Sequence, residues 1–436
     1  MHKKYFKIIP AITTIIILLT SAEYAQTQKP LTLNEAIQLT VNNYPLIKQQ
    51  QERLKAVGYR IEQQKSAFYP DVQGRASYTR IGPLPSFNFG GEELVLAPAN
   101  NYDLNIVLNE QLYDFGRRSA AVDIASSYKK SASDNLELIK SNLSYQTLET
   151  FYSILFIEKS IAVKDTQIAA LNAHLGVTNK RVESGSATDY DALSTQVRIS
   201  RAQSEKIELR NQLKQQKINL KQLLGEEQDT SLTISGDFSA PASVNSTDSL
   251  INIAFQKRQE LKLAEDELNT SHLQESLAGL GDMPSLNATV SYGIKNGYEP
   301  NLDALRGNWA ASFSVRVPIF NGFMTRYKEN EAKVNSNVSE LNISTIKRNI
   351  ISGVQQAAAG LNSNLQQLNT TLTQVRFAEQ TVRRAESRYN SGVGTNLDLL
   401  DAETSLAEAR FFYLQDLYKS ILSAYQLKKF VGDVIY

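Results

Sequence analysis

Hydrophobic positions follow two periods along this chain. In four segments the period is two. Val72, Gly74, Ala76 and Tyr78 alternate with Gln73, Arg75, Ser77 and Thr79, and Tyr102, Leu104, Ile106 and Leu108 alternate with Asp103, Asn105, Val107 and Asn109. Leu286, Ala288, Val290, Tyr292 and Ile294 repeat the pattern, as do Trp309, Ala311, Phe313, Val315, Val317 and Ile319. A period of two gives a strand one apolar and one polar face. It predicts strands over about 71–80, 102–113, 285–294 and 309–319, joined in pairs by the Gly- and Pro-bearing loops 81–101 and 295–308.

Elsewhere the spacing is helical. Thr32-Leu33-Asn34-Glu35 is a capping box, in which the Thr oxygen takes a free backbone N–H and the Glu reaches back. It opens a predicted helix that runs to about Ala67, and a counterpart runs from about Ser249 to Leu280. Two long proline-free stretches follow the strand pairs, over about 117–180 and 325–387, and each turns at a Gly-bearing corner and returns over 189–224 or 396–431. Glycine suits the positive φ of a helix C-terminus, and Thr188 and Thr395 are placed to cap the returning helices. At about 1.5 Å per residue, some 60 residues make a rod of roughly 90 Å. Leu136, Ile139, Leu143 and Ile154 supply only a stripe, so such rods must lie against other helices, as in a coiled coil or a hollow ring.

The parts recur in order. "RVESGSATDYDALSTQ" (181–196) matches "RYNSGVGTNLDLLDAE" (388–403) through Arg181/Arg388, Ser184-Gly185/Ser391-Gly392, Thr188/Thr395 and Asp191/Asp398, each pair 207 positions apart. "LYDFG" (112–116) stands at the same offset from "IFNGF" (319–323). Upstream the offset is 214 for Pro70/Pro284 and Tyr78/Tyr292, and Leu46 pairs with Leu261 at 215. A period this long is the duplication of a whole unit. It divides the chain into a first repeat over 26–224, a Ser/Thr/Asp-rich connector over 225–248 with room for a short strand at 231–235, and a second repeat over 249–436.

The first 25 residues differ in kind. Lys3, Lys4 and Lys7 precede an apolar run from Ile8 to Leu19, too short for a membrane-spanning helix, and small residues follow. This is the pattern of a secretory signal peptide with cleavage near 22–25; a short uncleaved anchor is the alternative. The absence of cysteine excludes disulfides and a lipid-modified N-terminal cysteine. A formal net charge of +1 argues against a nucleic-acid partner. Apart from His2, only His174 and His272 occur, with no metal-ligand spacing, and no nucleophile elbow, P-loop or dinucleotide fingerprint appears. The chain therefore reads as a non-enzyme without metal or cofactor.

Four strands cannot close a membrane barrel, since known ones start at about 8. An open sheet cannot sit in lipid, where its edges leave backbone groups unpaired. Pooling strands from several chains removes the edges: two chains give eight, three give twelve, four give sixteen, and arithmetic alone does not choose. Strands of about 9–11 residues suit a tilted membrane crossing, with the polar faces lining a water-filled lumen. The alternative is a soluble protein whose hairpins cover a core of their own, a periplasmic coiled-coil scaffold or adaptor. Trp309, Tyr78, Tyr102 and Tyr292 suit an interfacial belt against outer-membrane lipid.

"LTLNEAIQLTVNNYPLIKQQQ", "SAFYPDVQGRASY", "LYDFGRR", "RVESGSATDYDAL", "VPIFNGF" and "RYNSGVGTNLDLLDAE" occur in this order, and over essentially the whole mature chain they resemble the TolC family of outer-membrane efflux and secretion channels. The resemblance implies a mainly α fold with membrane β: a homotrimer whose twelve-stranded β-barrel continues as a periplasmic α-helical barrel. It implies a passive, gated exit duct in the outer membrane of a Gram-negative bacterium. A periplasmic adaptor and an inner-membrane transporter would meet its tip at Ser184, Gly185, Ser391 and Gly392. Drug or metal efflux and type I protein secretion are both known uses of the family.

The resemblance also gives roles to acids at the corners. Asp398 and Asp401, on one helix face, match family positions that ring the narrow periplasmic end of the pore. Six carboxylates there would favour cations, and mutual repulsion would raise some of their pKa values. Asp191 and Tyr389 match positions that tether the closed state. Gly394 stands where the family's tether has an arginine, which leaves Arg388 as the alternative cation. Without the resemblance, Asp398 and Asp401 read as helix N-terminal acids on a solvated face.

Overall fold

The four alternating segments form one antiparallel sheet in the computed structural model of the chain, which describes residues 30–225, 232–243 and 246–433. The signal segment and part of the connector strand at 231–235 lie outside the described residues. The strands are β1 (Asp71–Arg80), β2 (Ser86–Phe89), β3 (Glu92–Val95), β4 (Asn100–Tyr113), β5 (Ser285–Lys295) and β6 (Arg306–Arg316), and the sheet order is β1-β4-β5-β6.

Register carries the alternation across all four strands. Gly74, Ile106, Tyr292 and Trp309 form one row, and Val72, Leu108, Val290 and Ala311 another. Toward the loop end the opposite face carries polar rows: Arg75, Asn105, Gly293 and Asn308, then Ser77, Asp103, Lys295 and Arg306. Gly293 is there for space as well, because a Cβ at that position would overlap the Leu104 carbonyl and the Asn105 side chain. The apolar rows are not covered by the chain; Trp309 is 75% exposed and Phe313 73%. One side of β1 and one side of β6 have no strand partner among the described residues.

The strand ends differ from expectation at three places. The last strand is Arg306–Arg316, not 309–319, so Trp309 is its fourth residue rather than its head. Pro318 has no N–H to donate, and the ladder stops at the Arg316–Ser285 pair. The second strand begins at Asn100, and the loop before it holds an unforeseen hairpin, β2–β3. Gly90 and Gly91, with φ of 66° and 94°, make its turn, a conformation that two-residue hairpins need.

The helices are α1 (Leu33–Asn43), α2 (Pro45–Lys65), α3 (Arg117–Glu183), α4 (Asp189–Leu224), α5 (Thr247–Lys257), α6 (Gln259–Gly279), α7 (Met324–Asn390) and α8 (Asn396–Val431). The predicted continuous helices over 34–67 and 249–280 are thus each two helices, broken at Tyr44 and Arg258, whose ψ values of 127° and 122° are extended. Pro45 explains the first break, since a proline disfavours the helical conformation of the residue before it and suits the first position of a new helix. The second break has no proline. There the end of α8 fills the gap: the Arg258 guanidinium donates to the carbonyls of Lys429 and Phe430, at 3.3 and 3.4 Å.

Both return helices end against such a break. The C-caps Gly225 (φ 72°) and Gly432 (φ 83°) lie so close to Asn43 and to Lys257–Arg258 that a Cβ would sit 3.0 and 2.9 Å from them. The breaks also correct the pairing of the two halves. Ile47 and Leu261, 214 apart, are the equivalent buried residues, whereas Leu46 is exposed.

α3 and α7 have 67 residues each, about 100 Å at the usual rise. Their midpoint holds the main core. Leu148, Phe151 and Ile154 of α3 meet Ala36 of α1, Leu220 and Leu224 of α4, Leu368 of α7, and Leu417 and Ile421 of α8. Leu31 and Ile234 close this girdle through a parallel bridge, with Leu31 N–H donating to Thr233 at 2.9 Å.

Candidate functional site

The sheet stands at one end of the long helices and the two corners at the other. Each corner is built the same way. Gly185 and Gly392, with φ of 74° and 77°, reverse the chain, and the carbonyls of Arg181 and Arg388 each accept two N–H groups from the turn, at 2.7 and 3.1 Å and at 3.0 and 2.9 Å. Ser184 and Ser391 end the incoming helices, and their hydroxyls donate to those same carbonyls at 3.0 and 3.1 Å. Thr188 and Thr395 then cap the outgoing helices.

The capping boxes engage two of the singled-out acids. Asp191 accepts from the Thr188 N–H and hydroxyl at 3.0 and 2.8 Å, and Asp398 accepts from the Thr395 N–H at 3.1 Å. That backbone bond, then the Thr395 hydroxyl and the charge of Arg388, hold the exposed Asp398 carboxyl below its usual range. Within one chain the direction is therefore downward; repulsion between copies would oppose it. Asp401, one turn on and also exposed, accepts from Arg198 of α4 at 2.7 Å, and the same guanidinium reaches the Thr404 hydroxyl at 2.8 Å.

Tyr389 is buried, and no hydrogen bond joins it to Asp191. Its hydroxyl lies 3.3 Å from that of Thr178, the imidazole of His174 stands edge-on to its ring at 4.9 Å, and the Arg181 guanidinium covers the ring at 4.2 Å. His174 Nε2 is 2.5 Å from Asn396 Oδ1. The Asn396 amide N–H groups point at the Asp191 carbonyl (3.2 Å) and the Ser194 hydroxyl (3.3 Å). With its amide donors used this way, Asn396 offers an oxygen to His174, so Nε2 carries the hydrogen. A buried polar cluster thus ties all four helices of the tip together.

His174, Thr178, Asn396 and Arg198 were not singled out from the sequence. One signal was available: His174, Thr178 and Arg181 follow Leu171 at helical spacing, so they continue a buried stripe with polar residues. Just above the cluster, a groove of about 960 Å³ runs between α4 and α8, lined by Tyr190, Leu193, Val197, Phe411 and Phe412, with Arg201 at its rim.

The sheet end has a geometry of its own. Tyr78 and Tyr102, with ring centroids 5.2 Å apart, join Tyr292 and Trp309 near the loop end of the apolar face. At the helix end of the strands stands a second exposed aromatic set, Tyr69, Tyr113, Phe115, Phe320 and Phe323, in which Tyr113 and Phe115 are 4.8 Å apart and Phe320 and Phe323 5.3 Å. The ten residues of β4 between Tyr102 and Tyr113 span about 33 Å along the strand and, at a usual barrel tilt, about 25 Å of height. In known outer-membrane barrels, aromatic girdles flank an apolar band of about 25 Å. Among the described residues no helix is long and apolar enough to cross a membrane, and no group of His, Cys, Asp and Glu is arranged to hold a metal ion.

The profile of a family described as outer membrane efflux protein matches residues 36–226 and 250–433. Protein CyaE of Bordetella pertussis is 24% identical over 390 residues, covering 87% of this chain and 79% of its own length. Outer membrane protein TolC of Vibrio cholerae is 21% identical over 380 residues, covering 85% and 86%. Among solved structures, the open state of the Neisseria gonorrhoeae MtrE outer membrane channel shares the fold with a TM-score of 0.77 at 17% identity, over 92% of this chain and 89% of that one.

Proposed function

The chain belongs to the outer membrane efflux protein family, the TolC-type channels, and from that membership we propose that it is the exit duct of a tripartite efflux system. It is an outer-membrane protein that reaches into the periplasm of a Gram-negative bacterium. The observation that carries the reading is the sheet: apolar rows without a cover, polar rows opposite, and two open edges. Three copies, with β6 of one beside β1 of the next, close a twelve-stranded barrel and leave no edge in lipid. The rows holding Arg75, Asp103, Lys295 and Arg306 then face a wet lumen. The long helices of three copies extend that lumen across the periplasm.

At the tip, Asp398 and Asp401 make the pore cation-preferring, with Arg198 as the counter-ion of Asp401. The closed state is held by Tyr389 and its buried partners, with Asp191 fixing the turn through its cap and its carbonyl, and Arg388 fixing the second corner. A periplasmic adaptor meets the corners at Ser184, Gly185, Ser391 and Gly392 and lies along the apolar groove between α4 and α8. The inner-membrane transporter behind it supplies the energy.

The mass of the protein extracted in mild detergent from outer membranes tests this. Three chains are expected, and a monomer recovered from the periplasm refutes the channel. Deletion of the gene separates the two uses of the family: accumulation of small toxic compounds supports efflux, and loss of a secreted protein alone supports type I secretion.

A further inference from the structure

One acid of the tip has no role in this reading. Glu403 lies half-buried on α8, and its Oε2 is closed off from solvent with no hydrogen-bond partner among the described residues. Few charged groups face it. From α7 comes Glu386, a like charge, and from α4 comes Arg198, already engaged with Asp401 and Thr404 at 2.7 and 2.8 Å. Farther along, Arg410 of α8 and Glu379 of α7 satisfy each other at 2.9 Å. Burial, then the charge of Glu386, push the Glu403 carboxyl up to about 7, while Arg198 pulls it down.

We propose that Glu403 is a proton-controlled determinant of ion selectivity, acting through Arg198, the cation it shares with Asp401. This rests on Asp401 lining the pore. With Glu403 protonated, Arg198 compensates Asp401 alone. With Glu403 ionised, one guanidinium serves two carboxylates, and the tip gains a negative charge in each copy. A group titrating near 7 is roughly 90% protonated at pH 6 and about 10% at pH 8. The pore therefore prefers cations more strongly on the alkaline side.

The test is the reversal potential of the full-length channel in planar bilayers under a KCl gradient, at pH 6 and pH 8. The wild-type cation-to-anion permeability ratio should rise about twofold or more between the two. Glu403→Gln should hold it near its pH 6 value throughout. A flat wild-type ratio, or a Glu403→Gln channel that still responds, overturns the proposal. If Glu403→Gln does not assemble, Glu403→Asp must shift the midpoint of the wild-type response, and an unmoved midpoint overturns it equally. The Asp398→Asn/Asp401→Asn double variant separates this idea from its premise. An unchanged ratio in that variant refutes the aspartate reading; a lowered ratio beside a pH-responsive Glu403→Gln refutes the Glu403 proposal alone.

Discussion

Asn396→Ala removes the side chain that joins the second corner to both helices of the first. Three hydrogen bonds are lost, to His174, to the Asp191 carbonyl and to Ser194, at 2.5, 3.2 and 3.3 Å. The Asp191 carbonyl keeps the Ser194 and Thr195 hydroxyls at 3.1 and 2.8 Å, so it is not orphaned. The buried imidazole keeps only Thr178, at a weak 3.4 Å. Counting the two long bonds to Asp191 and Ser194 at about 0.5 kcal/mol each and the stranded imidazole at about 1–2 kcal/mol gives about 2–3 kcal/mol of local stability. That is a factor of roughly 30–150 in the population of opened tips. Hydrogen exchange followed by mass spectrometry reads it directly. Amides of 184–190 and 391–397 should exchange about 30-fold faster or more, while those of 148–155, in the midpoint core, should not change. Corner exchange within about threefold of wild type would falsify the view that this cluster holds the tip. His174→Gln, which keeps a donor, should have a smaller effect than His174→Ala.

Three other outcomes are expected. Phe151→Ala empties the centre of the midpoint core, where Phe151 is fully buried, and should cost about 3–5 kcal/mol, visible as an earlier loss of helical circular dichroism on heating. Gly293→Val drives a side chain into the β4 backbone and should abolish assembly, measured as loss of the trimer band on unheated gels, whereas Gly74→Val, with open space around it, should assemble. Trp309 is the chain's single tryptophan, so its fluorescence reports the upper girdle alone; lipids brominated near the headgroup should quench it more than lipids brominated at the chain ends, and the reverse order would refute the belt.

Local signals made most of the frame legible. The return helices over 189–224 and 396–431 match the spans expected from the sequence, because a corner glycine and a capping threonine mark their starts. The first strand was legible for the same kind of reason, its alternation being undisturbed. The break at Arg258 was not, since no proline marks it and its cause lies on α8, 171 residues away. The hairpin β2–β3 is too short for a period to show. At the tip, pattern located the aspartates but not their partners. Arg198 and Asp401 are 203 residues apart and His174 and Asn396 222 apart, and nothing in either stretch announces the other. A lone buried histidine looks inert until the helix that satisfies it is in place.

The equal lengths of the two hairpins have a consequence for how such a wall can change size. α3 and α7 both have 67 residues, and α4 and α8 both have 36. One residue inserted in α3 moves everything beyond it by about 1.5 Å and turns it by about 100°. His174 and Thr178 would then slide past Asn396 and Tyr389, and the groups now facing each other would face solvent. A change of span is tolerable only if all four helices change together, and only in steps near seven residues, which bring each face round to within about 20° of where it was. The height of the tube is therefore quantised, at about 10.5 Å per step. A lineage with a wider or narrower periplasm has to move by whole steps or alter its adaptor instead.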